Sequence, residues 1–479
     1  MLSKGYSPIV MKYLSAIVFS FCWLQSFYCP ANDTLKVFTI KDFLYIVASN
    51  HPVVRQSNFL TEQARQEVRM ARGFFDPKVS SVYYDKFYGG KQYYTNWMNE
   101  LSVPLYVGDV KVGYNRNEGP YVSSENYTDE RGLTSVGYVL PIGNGLFTDE
   151  RRTVLRQAQV MQQSTEAERV KMINKLLLEA VKDYWDWYYA YHQYQINIES
   201  LELVRFRLSA IRDRIEEGDL ASIDSIEARV QEQWIYQACK QSELLFKNAT
   251  ITISNALWDP EGNPIMAYDL MPVDSFLTIN AMMPDSLDRL VMYAKANHPD
   301  IRKAELKINY FDLEYRLAVE RLRPQLDVGA YWLQPGFFES GDIGRSNYLS
   351  DNHMLKANFS YPLFLRKERA KYKLAKVKTA YARLDLQLSN RDVENQLLIQ
   401  YNELNNYREL LVTQERLVYN LAKIREGEQI RYLIGESTLF VLNQRDQYLI
   451  KERIKYQELK AKFAKSLVYL QWSAGKVQF

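Results

Sequence analysis

The chain has 479 residues with a formal net charge of +3, and it contains three cysteines and four histidines. This near balance of charge gives no reason to expect nucleic acid or an anionic surface as a partner. The few glycines and prolines indicate long uninterrupted elements, and the 36 tyrosines are typical of wet interfaces or membrane–water boundaries.

The N-terminal segment predicts export. Residues 11–31, "MKYLSAIVFSFCWLQSFYCPA", are a lysine-led apolar run followed by small residues, which is the pattern of a secretory signal peptide. We therefore predict a signal peptide at 1–31, and leave open whether Met1 or Met11 is the start and whether Cys29 carries a lipid. Only Cys239 would remain after cleavage, so no intrachain disulfide is expected. No later segment is apolar enough over about 18 residues to predict a transmembrane helix.

A repeated Asn-His-Pro motif marks an internal duplication. The stretch "ASNHPVVRQ" at 48–56 returns as "KANHPDIRK" at 295–303. We interpret both copies as helix starts, because proline suits the first helical position and a polar residue before it can cap the helix. A metal or catalytic role for His51 and His298 is disfavoured, since neither has a Cys, Asp or Glu at metal-ligand spacing. The order short helix, polar-aromatic segment, proline, very long helix, glycine turn and second helix then occurs twice.

Two very long helices are predicted. The segment from Arg151 to Glu217 has neither glycine nor proline, and the segment from Arg366 to Ile434 has no proline. Each helix would be about 100 Å long. Apolar residues recur every seven positions, as in a coiled coil, at Val170, Leu177, Tyr184, Tyr191 and Ile198, and again at Leu397, Leu404, Leu411 and Val418. Interleaved glutamines indicate a helix wall with one side facing water, and a glycine turn followed by a Ser or Thr cap is predicted to start each shorter helix.

Segments before the long helices alternate with a period of two, as transmembrane β-strands do. The alternating apolar residues are Leu326, Val328, Ala330 and Trp332, and then Leu355, Ala357, Phe359 and Tyr361. Strands of about nine residues with one apolar face are typical of membrane barrels. One hairpin alone would leave backbone groups unpaired in lipid, so other copies of the chain must complete the sheet. The corresponding segment of the first repeat is longer, which indicates either an additional hairpin or an extracellular loop.

Together these features resemble the TolC-type outer-membrane efflux proteins. The resemblance covers about Phe38 to Trp472 and lies in the order and lengths of the elements, with "LPIGNG" and "YPLF" leading into the long helices. It implies a mixed, mainly α fold: internally duplicated long antiparallel coiled-coil helices form a periplasmic α-barrel, and strands contribute to a shared trimeric transmembrane β-barrel. The first repeat would be 32–280, with a helix, transmembrane strands in 75–141, a long helix at 146–217 and a return helix at 220–257. The second would be 281–479, with a helix at 286–322, strands in 325–362, a long helix at 366–434 and a return helix at 437–473.

The resemblance also implies a function. The protein would be the outer-membrane exit duct of a tripartite efflux or type I secretion system in a Gram-negative bacterium, a passive homotrimer that receives cargo from an inner-membrane transporter and a periplasmic adaptor. It would contact outer-membrane lipid, bind no nucleic acid, need no cofactor or metal and be no enzyme; the chain has no phosphate loop, cysteine pair or nucleophile elbow. The alternative is a periplasmic coiled-coil scaffold that transports nothing. The cargo, whether drug, metal or protein, and the particular pump and adaptor stay open.

The resemblance places a gate at the ends of the long helices. A latch aspartate is expected six positions after the first tip glycine and a tyrosine three before the second, where this chain has Asp224 and Tyr432. Asp224 has an alternative role as a cap or first-turn acid. The aspartate ring of the family falls here on Val441 and Gln444, which favours a hydrophobic or neutral constriction. The residues expected at the turns and at the adaptor-docking surface are Gly218, Leu220, Ser222, Gly435, Glu436, Ser437 and Thr438.

Overall fold

The computed structural model describes residues 36–218, 221–273, 286–336 and 351–476. The predicted signal peptide, with Cys29, and the predicted docking residue Leu220 lie outside the described residues. The helices are α1 Ile40–Asn50, α2 Pro52–Arg72, α3 Glu150–Glu216, α4 Ser222–Ser254, α5 Leu287–Asn297, α6 Pro299–Glu320, α7 Arg366–Leu433 and α8 Leu439–Ser473. The strands are β1 Lys36–Phe38, β2 Lys78–Tyr88, β3 Lys91–Pro104, β4 Asp109–Glu118, β5 Leu133–Pro141, β6 Leu270–Pro272, β7 Gln325–Pro335 and β8 His353–Ser360.

A histidine caps the second helix of each repeat. His51 and His298 have extended backbones, and Nδ1 of each accepts a hydrogen bond at 3.2 Å from the amide two residues further on. Proline then occupies the first helical position of α2 and α6. The predicted helix starts are confirmed. Asn50, in contrast, ends the preceding helix, and its Nδ2 donates to the carbonyl oxygen of Trp258 at 2.9 Å.

These two caps should make the stability of the fold depend on pH. Burial lowers the pKa of His51 and of His298, because a charged imidazole is poorly solvated there. A group whose pKa is lower in the folded than in the unfolded chain stabilises the fold above its unfolded pKa, about 6.5 for histidine, and that contribution is lost as the pH falls. Protonation also removes the Nδ1 acceptor of the cap.

We therefore expect the free energy of unfolding by denaturant to fall between about pH 7 and about pH 5. The double variant His51→Asn/His298→Asn should show a weaker pH dependence, since asparagine caps a helix without titrating. Equal pH dependence of the two proteins would contradict this assignment.

The long helices form two antiparallel helical hairpins. α3 and α7 have 67 and 68 residues, so each is about 100 Å long. α3 packs along α4, which gives the first helical hairpin, and α7 packs along α8, which gives the second. Gly218 and Gly435 make the turns with φ of 83° and 81°, a left-handed conformation that favours glycine.

The predicted caps after these turns are right in one case only. Oγ1 of Thr438 accepts a hydrogen bond from the amide of Val441 at 3.4 Å and so caps α8. The residue that precedes α4 is Ala221, which has no side-chain acceptor. The serine cap predicted there is therefore wrong, because Ser222 is already the first helical residue.

The core lies where the helical hairpins meet the shorter helices. Four aromatic side chains lie within little more than one turn of α3, where Tyr184, Trp185, Trp187 and Tyr188 are each at most 1% exposed. Two of their polar atoms have buried partners: Tyr184 Oη donates to the Phe38 carbonyl oxygen at 2.9 Å, and Trp187 Nε1 donates to Thr250 Oγ1 at 3.0 Å. On α7 the seven-residue stripe of Leu397, Leu404 and Leu411 is buried against α8, as a coiled-coil seam predicts.

Six strands form one antiparallel sheet in the order β2-β3-β4-β5-β7-β8. The first repeat contributes four of them and the second contributes two, so the longer segment of the first repeat contains an additional hairpin. The two repeats join where β5 pairs with β7, with Pro141 opposite Asp327. In the single chain this sheet is open, with β2 and β8 at its edges.

Arginines hold the joint between the sheet and the first long helix. Arg151 Nη1 lies 2.6 Å from Asp109 Oδ1 on β4. Arg152 is 3% exposed; its Nε lies 3.1 Å from Oδ1 of Asp149, the residue that caps α3, and its Nη2 donates to the carbonyl oxygen of Leu146 at 3.1 Å. The start of α3 is thus fixed to the lower end of the sheet.

Within the described ranges, no helix has a stretch long and apolar enough to cross a lipid bilayer.

Candidate functional site at the helix tips

The ends of the two helical hairpins, around Gly218 and Gly435, are called the tips here. They pack against each other through an apolar cluster. Leu439 of α8 is 3% exposed and lies among Leu208, Ile211 and Ala228 of the first helical hairpin. The tip of the second helical hairpin is therefore seated on the first.

Asp224 and Tyr432 both lie at this contact. Asp224 is in the first turn of α4, where its carboxylate faces the positive end of the helix dipole. Tyr432 is half-buried against the apolar cluster. Burial raises the pKa of the Tyr432 phenol, the Arg214 guanidinium lowers it, and the carboxylate of Asp224 raises it. The phenol is thus a protonated donor near neutral pH, although in the described part of the chain no hydrogen bond joins it to Asp224.

Val441 and Gln444 lie in the first turns of α8. Val441 is half-buried and Gln444 is exposed. Gln444 lies on the side of α8 away from the buried Leu442 and Asp446. Neither position brings a charge to the end of the helical hairpin.

The turn residues differ in accessibility. Those exposed at the tips are Gly218, Ser222, Gly435, Glu436 and Thr438. Ser437, in contrast, is half-buried. Its hydroxyl donates to the carboxylate of Glu428, a residue that is 7% exposed. Ser437 is thus less exposed than predicted, since its hydroxyl is held within the turn, and its docking role stays a prediction.

A buried ion network above the tips was not predicted from the sequence. Asp446 on α8 is 4% exposed. Arg207 of α3 places Nη1 2.6 Å from Asp446 Oδ2, and Arg425 of α7 donates through Nε to Oδ1 at 2.8 Å. One carboxylate thus joins the two helical hairpins.

Neutral side chains extend this network to α4. Arg207 Nη1 donates to Asn443 Oδ1 at 3.1 Å, and Asn443 Nδ2 donates to Glu227 Oε1 at 3.5 Å. Next to it, Gln447 Nε2 donates to Gln231 Oε1 at 2.7 Å. The sequence does contain a signal for the buried ion network around Asp446. Leu439, Leu442 and Asp446 are three and four residues apart and share one helix face, so an acid occupies an apolar seam position that needs a paired cation.

Comparison with known proteins gives one family match, over the second repeat. Residues 290–476, most of the second repeat, match the family model described as "Outer membrane efflux protein". The predicted resemblance to the TolC-type outer-membrane efflux proteins is confirmed. A comparison with curated protein sequences gave no match.

Solved outer-membrane channels share the fold over nearly the whole chain. The outer-membrane channel OprN is 16% identical with a TM-score of 0.66, covering 91% of this chain and 90% of that chain. The MtrE outer membrane channel of Neisseria gonorrhoeae, in its open state, is 12% identical with a TM-score of 0.66, covering 91% and 88%. The CmeC outer membrane channel of Campylobacter jejuni is 13% identical with a TM-score of 0.62, covering 92% and 87%. At these identities the likeness shows the fold.

The family match and the shared channel fold support an efflux-type channel of the outer membrane. The matched family and its structural neighbours are channel proteins. Among the described residues, no three His, Cys, Asp or Glu side chains come together as a metal site.

Proposed function

We propose that three copies of this chain form a passive exit duct, which carries cargo from a periplasmic adaptor and an inner-membrane pump through the outer membrane. The observation that carries the proposal is the arrangement of the fold. A six-stranded sheet lies at one end of two helical hairpins, and the interlocked tips lie at the other, about 100 Å away. A membrane segment and a periplasmic gate would thus be parts of one continuous subunit.

An unpartnered stripe on α7 supports assembly with further copies. Its residues are each more than half exposed, and they are Leu374, Val377, Tyr381, Leu384 and Leu388. They are spaced alternately three and four apart, which is the seam of a coiled coil without its partner helix. A neighbouring copy would cover this stripe.

The tips would act as the gate of this duct. The buried network around Asp446 and a link between Asp224 and Tyr432 would favour the closed state. An adaptor would dock on the exposed turn residues named above and shift the equilibrium towards the open state. The uncharged Val441 and Gln444 would give a neutral constriction rather than an acidic one.

Membrane fractionation followed by planar-bilayer recording tests the proposed function. We expect the protein in the outer-membrane fraction, purified in detergent as a trimer that conducts ions when inserted in a bilayer. The non-transporting scaffold predicts a monomer or dimer that stays soluble without detergent. Recovery of that species, without conductance, would reject the duct.

The latch between Asp224 and Tyr432 has its own test. A hydrogen bond of about 1–3 kcal/mol shifts a closed-to-open ratio by about 5- to 150-fold. Asp224→Ala and Tyr432→Phe should therefore each raise single-channel conductance, and the phenylalanine keeps the packing of the ring. Tyr419→Phe, at a tyrosine on the same helix that is 64% exposed, serves as the control and should change nothing. Unchanged conductance in both latch variants would remove the latch.

A further inference from the structure

Each of the six strands of the sheet has one end on the side of the helices, which is called its lower end here. The lower ends are Lys78, Pro104, Asp109, Pro141, Gln325 and Ser360. A four-residue turn joins β3 to β4 at this end of the sheet. Short segments connect the lower ends of the other four strands to helices. The additional hairpin of the first repeat therefore lies in the same layer as the other strands.

One face of the sheet carries an apolar row that extends into the additional hairpin, β2 and β3. Further from the helices the same face of this hairpin also carries polar pairs, Ser81 opposite Asn99 and Asp85 opposite Thr95. Residues that face each other across a ladder lie on the same side of a sheet. One row runs straight across five strands and is apolar throughout: Val79, Leu101, Val112, Val136 and Trp332. The opposite face carries Lys111 and Glu100, whose charged groups are 2.8 Å apart. At the level of this row, the two faces differ as a lipid-facing and a lumen-facing surface are expected to differ.

The register gives the tilt of the strands. Following the ladder straight across from Lys78 at the lower end of β2 leads to Met354 on β8, six residues from the lower end of that strand at Ser360. A stagger of about 20 Å over five strand spacings, about 24 Å, corresponds to a tilt of about 40°. Closed barrels have strands tilted by about 35–45°.

The two edges fit each other in direction and in chemistry. β2 leads away from the helices and β8 leads back to them, so the edges of two neighbouring copies would be antiparallel, and both strands are exposed along their whole length. If Lys78 paired directly with Ser360, as Gln325 does within the chain, Val79 would face Phe359 and Tyr83 would face Leu355, apolar against apolar, with Ser81 facing Ala357 between them. Unpaired backbone groups at these edges would each cost several kcal/mol in lipid.

We propose that β2 of one copy pairs with β8 of the next, so that the trimer closes a barrel of eighteen strands, six from each of three copies. The proposal rests on the proposed function for the number of copies. One strand pair per repeat would instead give a barrel of twelve strands. To form it, β4 would have to give up its pairing with β3 and pair with β8 of a neighbouring copy. The β3–β4 pairing that would be lost runs from Thr95–Glu118 to Pro104–Asp109. Because barrel diameter grows roughly linearly with strand number, the proposed mouth is about half again as wide as that of a twelve-stranded barrel.

Disulfide cross-linking of the assembled protein distinguishes the two closures. In a Cys239→Ser background, Ser80→Cys on β2 is combined in turn with Lys356→Cys, Asn358→Cys and Ser360→Cys on β8. This set allows for a shift of register by two residues, and all four positions lie on the same face. The matched control set combines Lys111→Cys on β4 with the same three β8 positions. Paired strands place facing residues about 5 Å apart, close enough for a disulfide, whereas residues three strands apart are about 14 Å away.

The size of each variant in detergent is measured before oxidation, so that the two proposals are judged separately. We expect trimers in which a Ser80 pair links chains covalently on oxidation, while no Lys111 pair does and single-cysteine variants do not. Trimers linked through a Lys111 pair, or through no pair of either set, would overturn the eighteen-stranded closure and leave the duct intact. Variants and parent that are monomeric in detergent would overturn the duct and the closure together.

Discussion

Replacing Asp446 with asparagine should leave the trimer assembled but shift its tips towards the open state. The substitution keeps the shape of the side chain and leaves Arg207 and Arg425 without their shared anion at a site that is 4% exposed. Removing one partner of a buried ion pair costs about 3–5 kcal/mol. Because the network joins the two helical hairpins, that loss falls on the closed state.

The expected size is a change of roughly 10²- to 4 × 10³-fold in the closed-to-open ratio, at about 1.4 kcal/mol for each tenfold step. Planar-bilayer recording would show it as a large rise in open probability or conductance. Glu426→Gln is the matched control, because Glu426 also pairs with a cation, Lys423, on α7, but both side chains are more than half exposed. Conductance that rises equally in both variants, or in neither, would show that Asp446 does not hold the tips.

Placing two glutamates in the exposed stripe of α7 should prevent assembly. Leu384 and Leu388 are 59% and 64% exposed in the single chain and are proposed to become buried between copies. Leu384→Glu/Leu388→Glu would bury two unpaired carboxylates, and such groups are not tolerated in an apolar seam. We expect loss of the trimer, measured by the mass of the detergent-purified complex.

The control for this variant matches its charge. Lys376→Gln/Arg383→Gln also lowers the net charge by two, at exposed positions of the same helix outside the stripe. It should assemble normally. A trimer that survives the double glutamate substitution would show that α7 does not form the contact between copies.

The overall fold was predictable from the sequence because its signals are long and periodic. The buried Leu397, Leu404 and Leu411 repeat every seven residues along a segment without proline, and a pattern of that length indicates one type of element only. The number of strands was not predictable. A second hairpin and a long loop both return the chain to the side of the sheet from which it came. The polar and aromatic composition of this segment fits either of them. The cap was predicted at the right place, but histidine provides the acceptor rather than asparagine.

The site was predictable only in part, for a physical reason. Asp224 and Tyr432 could be placed by counting from the turn glycines, and the structure brings them to the same contact. The ion network could not be found in this way, because Arg207 and Asp446 lie on different repeats and only the packing of α3 on α8 brings them together. A seam position occupied by an acid shows that a cation must be nearby, but not which helix provides it.

The arginine joint at the upper end of α3 has a consequence for how such a subunit can move. Arg151 is tied to β4 and Arg152 is enclosed at the start of α3, so the upper end of this helix is fixed to the sheet. The tips are held by side-chain contacts alone, through the apolar cluster around Leu439 and the ion network around Asp446. The displacement of the helices on opening is therefore expected to increase with distance from the sheet and to be largest at the tips. The width of the channel at the sheet would then be the same in the closed and open states.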